Sequence, residues 1–237
     1  MATFYGTPAR DILFFTMHVE GDVIYGDGFP DNVTPPGNNF IFAGLGNDTI
    51  FAGYGSDVVY GGAGDDTIFG YGAAGVSPGQ TDVLASADGP NILVGGLGND
   101  IIISGGGADR LFGGENNDIL VAGSGNDILF GDAGDDVLYS GRGADVLQGG
   151  AGADTFVYAY GTFSEVGGDA NGGRDVILDF TPGTDHIDLT GYAVPAEGLT
   201  VSNVAGGLLL SFNAVYEQGE IELVGVQQLQ AGDVIFA

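Results

Sequence analysis

From Gly95 to Val157 an acidic residue returns at every ninth position: Asp100, Asp109, Asp118, Asp127, Asp136, Asp145 and Asp154. The same nine-residue step joins Asp48, Asp57 and Asp66, and the series runs on through Asp82 and Asn91 with one break between 66 and 82, where GYGAAGVSPGQT intervenes. Backwards, Asn39, Asp31 and Asp22 keep nearly the same beat, with a start at Asp11. A fixed period over this much of a chain is the mark of a solenoid, in which each unit buries its apolar side only by stacking on the next.

Within the period, a branched or aromatic residue sits two places beyond each acidic position: Ile41, Ile50, Val59, Ile68, Leu84, Leu93, Ile102, Leu111, Leu120, Leu129, Leu138, Leu147 and Phe156. One apolar residue in register per nine reads as the single inward side chain of a short strand, since a three-residue strand cannot carry a helical stripe. The other six residues must then be turn. Glycines at the second and fourth turn positions supply left-handed backbone or close approach. Between residues 95 and 157 their only substitutes are Asn116 and Asp132, the side chains that best tolerate a positive φ.

Two strand-and-turn units make one circuit of a flattened roll, so each turn should lie against the turn one full circuit later. Asp100, Asp118 and Asp136 then form one ladder, and Asp109, Asp127 and Asp145 the other. Two unit charges about 5 Å apart repel by roughly 3 kcal/mol at an effective dielectric of about 20. The chain cannot answer that repulsion itself, because 32 acidic residues face 4 Lys and Arg, for a net charge of -28. Only 15% of residues are charged, and the mean hydropathy is +0.22, which argues against disorder. The charge also argues against nucleic acid and anionic membrane as partners. Calcium, which takes six to eight hard oxygen ligands, suits turns rich in carbonyls and carboxylates.

The pattern GGxGxD followed by x-aliphatic-x resembles the RTX, or haemolysin-type calcium-binding, repeat family. The resemblance implies an all-β fold, a right-handed parallel β-roll with calcium in both turn ladders, each ion held by carbonyls and aspartates of successive coils. About eight or more Ca2+ ions are expected on that basis. The implied metal residues are Asp48, Asp57, Asp66, Asp100, Asp109, Asp118, Asp127, Asp136, Asp145 and Asp154, with Asp175 and Asp185 beyond them. The implied turn residues are Gly44, Gly46, Gly62, Gly64, Gly96, Gly98, Gly105, Gly107, Gly114, Asn116, Gly123, Gly125, Gly134, Gly141, Gly143, Gly150 and Gly152. Asn39 and Asn91 replace the carboxylate and Asp82 follows SPGQT, so the sequence leaves open whether those coils bind calcium.

The organisation expected is irregular N-terminal coils over 1–42, the roll over 43–158 with an insertion at 70–81, and a C-terminal cap with secretion signal over 159–237. In the cap, GGRDVILDFTPGTDHIDLTGY contains two alternating acidic and apolar strands about a Pro-Gly turn. This segment resembles the block after the repeats of serralysin-type secreted metalloproteases. Asp175, Asp179, Asp185 and Asp188 match its pattern while Val176 and Ile177 fill its second and third positions. The resemblance implies that some of these aspartates, with Asp154, complete the last calcium sites. GGLLLSF, GEIELVG and GDVIFA read as antiparallel strands closing the end. The final Asp233, Val234, Ile235, Phe236 and Ala237 are similar to the uncleaved signal of type I secretion substrates. The start lacks a leader pattern and no apolar run reaches membrane-spanning length. A secreted, extracellular or cell-surface protein handled by type I secretion machinery is therefore expected.

No catalytic equipment is read from the chain. It has His18 and His186 but no HExxH or GxSxG motif, and the repeat already accounts for its paired carboxylates. The third turn position carries no threonine rank, which argues against ice binding. The strand flanks, by contrast, are apolar: Phe42, Phe51, Tyr60, Phe69, Val94, Ile103, Phe112, Val121, Phe130 and Tyr139 on one side, and Val58, Ile92, Ile101, Ile119, Ile128, Val137 and Val146 on the other. Two apolar faces on a chain without a catalytic motif point to a homo-oligomer or polymer, a calcium-hardened subunit of a matrix, surface layer or filament. The alternative is a detached folding and secretion module acting with a separate enzyme or adhesin.

Overall fold

The computed structural model describes residues 2–6, 12–14, 21–26, 37–71, 89–158, 173–192, 198–213 and 218–236. Asp11, His18, Asp31, Asp82 and Leu84, and the insertion beyond Tyr71, lie outside them.

Among the described residues the strands form two sheets. The first sheet has ten strands in the order β1 (Thr3–Tyr5), β3 (Val23–Tyr25), β5 (Thr49–Phe51), β7 (Thr67–Phe69), β9 (Ile101–Gly106), β11 (Ile119–Ser124), β13 (Val137–Tyr139), β15 (Thr155–Val157), β17 (His186–Asp188) and β21 (Val234–Ile235). The second has eleven: β2 (Ile12–Phe14), β4 (Phe40–Leu45), β6 (Val58–Ala63), β8 (Ile92–Leu97), β10 (Arg110–Glu115), β12 (Ile128–Ala133), β14 (Val146–Ala151), β16 (Arg174–Ile177), β20 (Gln218–Val224), β19 (Gly207–Asn213) and β18 (Leu199–Val204). From β1 to β17 consecutive strands fall on opposite sheets, and each strand of the repeat pairs in parallel with the one a full coil away, as Leu111 does with Leu129. This is the right-handed parallel β-roll that the resemblance implies.

One inward side chain per strand fills the space between the sheets. Ile24, Ile41, Ile50, Val59, Ile68, Leu93, Ile102, Leu111, Leu120, Leu129, Leu138, Leu147, Phe156, Ile177 and Ile187 are all 0% exposed. The core is thus a stack of single apolar residues, aliphatic except for Phe156. Outward flanking residues stack on their own equivalents instead. Phe42 lies 4.8 Å from Tyr60, Phe51 4.8 Å from Phe69, and Phe112 5.2 Å from Phe130, ring centre to ring centre and nearly coplanar. In-register parallel strands about 4.8 Å apart force that geometry. Most of these flanks are half-buried by such stacking, and Val121 is buried outright.

Register shows which rungs are neighbours. Strand β6 pairs directly with β8 and β7 with β9, so Asp57 neighbours Asn91 and Asp66 neighbours Asp100. Likewise β3 pairs with β5, placing Asp22 against Asp48.

The cap also differs from its reading in detail. Strands β16 and β17 do not pair with each other: each extends a different sheet, giving the roll one more coil. The closing meander is β18, β19 and β20, antiparallel among themselves, with β20 parallel to β16. Strand β21, expected to be antiparallel, runs parallel to β17. The acidic residue before it is built into the fold, since Asp233 accepts hydrogen bonds from the Gly183 and Gln230 backbone N–H groups at 2.8 and 2.6 Å.

Because Leu120 is fully buried between the two sheets, Leu120→Ala is expected to destabilise the roll by about 2–5 kcal/mol. Ile119→Thr, on the outer face and 36% exposed, is expected to change stability by no more than about 0.5 kcal/mol. Thermal unfolding in saturating calcium measures both.

Candidate metal centre

The turns form two straight edges, and on each the acidic side chains are stacked one per coil. On the first edge Asp22, Asp48, Asp66, Asp100, Asp118 and Asp136 each donate a backbone N–H to the Oδ1 of the next rung, at 2.7–3.0 Å, and Asp154 donates to Asp185 at 3.1 Å. On the second edge the chain of N–H donors runs Asn39, Asp57, Asn91, Asp109, Asp127 and Asp145, ending on Asp175, at 2.7–2.9 Å. All of the aspartates expected from the sequence as metal residues therefore stand in the two ladders, and all are buried. Of the other cap aspartates, Asp179 accepts from the Gly149 and Gly150 N–H groups at 3.0 and 2.9 Å, while Asp188 turns away to the Thr190 N–H at 2.8 Å.

The turn backbone is shaped as the glycine pattern demands. Every turn glycine expected from the pattern has a positive φ, for example +122° at Gly114 and +144° at Gly134. Among the described residues the non-glycine residues with positive φ are Asn116 at 80° and Asp132 at 74°, the two substitutes picked out in the sequence. The second-position glycines also lie so close to the preceding coil that a Cβ on Gly114 would collide with the Gly96 carbonyl oxygen.

Two sets of residues were missed in the sequence. The first is the leading glycine of the turn on the first edge: Gly61, Gly95, Gly113, Gly131 and Gly149. Their φ is ordinary, but a Cβ at each would strike the Oδ2 of the aspartate five residues on, for example Asp100 at Gly95. Recurrence of glycine at that place was the available signal. The second is an outer row, Asn47, Asp65, Asn99, Asn117 and Asp135, one residue before each rung. Each of these side chains accepts an N–H from the following coil at 2.8–3.1 Å, as Asn99 does from Asn117. The inner bonds point to the later coil and the outer bonds to the earlier one, so each turn is clamped in both directions.

The inner carboxylates are in an unusual electrostatic state. While Oδ1 is held by a backbone N–H, the Oδ2 atoms of Asp66, Asp100, Asp118, Asp127, Asp136 and Asp154 are buried with no hydrogen-bond donor. An ionised oxygen removed from water without a partner is strongly disfavoured. Burial, with like-charged rungs as a lesser cause, pushes Asp118 from its ordinary 3.8 to about 8 and Asp66 and Asp127 to about 7. Asp100, Asp109, Asp136 and Asp154 are pushed to about 6, again chiefly by burial. The outer Asp65 moves the other way, lowered by hydrogen bonds from Asn99.

These residues fit a hard cation. The donors at the edges are carboxylate and carbonyl oxygens, without sulfur or imidazole, and the orphaned Oδ2 atoms lack a positive partner. Among the described residues no three His, Asp or Glu side chains converge on one point. Each aspartate rung supplies one carboxylate, so backbone carbonyls of the turns would have to complete the shell.

The model of the RTX calcium-binding nonapeptide repeat matches this chain in four copies, at residues 36–72, 86–120, 112–147 and 121–156. Residues 36–72 and 86–156 are thus similar to RTX calcium-binding repeats. An RTX repeat is a structural unit, not a catalytic one. Among solved structures, a subunit of the mannuronan C5-epimerase from Azotobacter vinelandii is similar at 29% identity over 70% of this chain and 87% of that one, with a TM-score of 0.39. The extracellular lipase of Serratia marcescens is similar at 18% identity, over 93% of this chain and 40% of its own, with a TM-score of 0.28. No curated protein matches the chain.

The raised carboxyl values fix a pH dependence for the RTX roll without metal. Protonation of these groups favours the folded form fully below about pH 4, and that stabilisation is lost as pH rises through 6 to 8. The metal-free thermal midpoint is therefore expected to fall between pH 4.5 and 8. Calcium affinity, which needs the ionised groups, is expected to rise over the same range. A metal-free midpoint that climbs with pH would contradict the burial of the ladders.

Proposed function

We propose that this chain is a secreted structural protein that folds when calcium enters its two turn ladders and associates with copies of itself into an extracellular matrix, surface layer or filament. The observation that carries the calcium half is the row of buried aspartate oxygens with no donor, repeated coil after coil in RTX turns. Asp66, Asp100, Asp118, Asp127, Asp136 and Asp154 are the ligands with the strongest claim, with Asp48, Asp57, Asp109, Asp145, Asp175 and Asp185 continuing the two ladders and turn-glycine carbonyls completing each shell.

The assembly half rests on the outer faces. Ile101 is 39% exposed and Tyr60 38%, in line with half-buried aromatic and aliphatic neighbours along flat sheets. Flat apolar strips of this kind suit a second copy presenting the same strip. Among the described residues no helix is long and apolar enough to cross a membrane.

Calcium also provides a compartment switch. A ligand bound only by the folded form adds about 2.7 kcal/mol per site at a hundredfold excess over Kd. With several sites, the unfolded chain is favoured where calcium is scarce, which suits passage through type I secretion machinery, and the roll is favoured outside the cell.

Circular dichroism and analytical ultracentrifugation, each run in millimolar calcium and in chelator, test the proposal together. Strand signal is expected to collapse in chelator and return with calcium, and the calcium form is expected to sediment as multimers that grow with concentration. Strand content unchanged by chelator would overturn the calcium role, and a concentration-independent monomer would overturn assembly.

A further inference from the structure

The two edges are not chemically equivalent. On the first edge every described rung is an aspartate, from Asp22 to Asp185. On the second, two rungs are amides, Asn39 and Asn91, both about as buried as the aspartates. The amide of Asn91 has its orientation imposed by the ladder, because its Oδ1 accepts the Asp57 backbone N–H at 2.7 Å. Its Nδ2 must then occupy the place that Oδ2 takes in an aspartate rung. There it donates to the Gly70 carbonyl at 3.3 Å. The Nδ2 of Asn39 does the same to the Ala52 carbonyl at 3.0 Å.

Ala52, directly after β5, leads the turn of the next rung, Asp57, whereas Gly70 directly follows β7, the strand that precedes Asn91 itself. The first-edge counterpart of the Ala52 carbonyl is that of Gly113. It lies 2.7 Å from the point a Gly95 Cβ would take, and Asp100 Oδ2 crowds the same point. Two acceptors thus face one small space in an ionised aspartate coil, an arrangement relieved by a bound cation or, without metal, by a proton on the carboxyl. In an asparagine coil an N–H and an acceptor meet instead, and the pair satisfies itself.

We propose that Asn39 and Asn91 are metal-independent rungs, in which the side-chain amide takes the bridging place of calcium, so that the second edge holds fewer ions than the first. This rests on the calcium reading above. The sequence around them fits: the turn before Asn91 reads SADGPN in place of GGxGxD, and the one before Asn39 reads PPGNN, so neither offers the full set of glycine carbonyls. An amide holds the coil where the cation's shell would be incomplete.

Calcium stoichiometry of the full chain, by native mass spectrometry, and the calcium midpoint of folding, by circular dichroism, test this with a reciprocal pair of variants. Asn91→Asp is expected to bind at least one more calcium than the parent and to need more calcium to fold. Asp109→Asn, which places an amide on the next rung of the same edge, is expected to bind at least one fewer. A folded Asn91→Asp chain with the parental stoichiometry would overturn the proposal. If that variant does not fold, Asp109→Asn decides alone, and an unchanged ion count in it would be equally fatal. A parent chain that binds no calcium would instead overturn the proposed function from which this one starts.

Discussion

At Asp66, Asp100, Asp118, Asp127, Asp136 and Asp154 this roll buries a carboxylate with one oxygen tied to a backbone N–H and the other facing no donor. The first contact sets the spacing of the coils, because the acceptor belongs to the next turn and the donor to the one before. The second leaves a charge that the protein does not neutralise, repeated along a stack whose strand spacing is fixed at about 4.8 Å. Everything else accommodates these two facts. Glycines with positive φ let the turn close around the side chain, and leading glycines on the first edge make room for Oδ2. The single inward aliphatic residue keeps the sheets near enough for both edges to form.

A roll built this way has little reserve of its own. Its core is one side chain thick, and its net charge of -28 opposes compaction. A bound cation acts on both weaknesses, by cross-linking neighbouring coils and by removing repulsion between rungs. The cap shows how the fold manages where the repeat ends. Asp175 and Asp185 continue the ladders from new strands, Asp179 holds the Gly149 and Gly150 N–H groups, and the β18–β20 meander carries Leu208, Leu210, Phe212, Ile221 and Leu223 to bury the last layer.

Much of this was legible in the residues because the rules involved are local. The inward position follows from the alternation of a strand, and Asn116 and Asp132 betrayed the left-handed turn positions because few other side chains tolerate them. What escaped was set by pairing across coils. The break in the series after Asp66 hides the neighbour of Asp57 from arithmetic, and only register joins it to Asn91. The direction of β21 is fixed by docking on β17, which spacing does not encode. The leading glycines were passed over because their backbone is ordinary. Their need is steric, created by a side chain five residues away. The outer row of Asn and Asp went unread because its partners lie in the next coil.

The central claim is that divalent cations sit between successive rungs of the two ladders. A crystal structure of the calcium-loaded chain, with anomalous scattering to identify the metal, tests it most directly. The account requires calcium peaks along both edges, within about 2.3–2.6 Å of aspartate and turn carbonyl oxygens. Rungs that stay hydrogen-bonded to protein or water alone, with calcium confined to the outer surface, would contradict it.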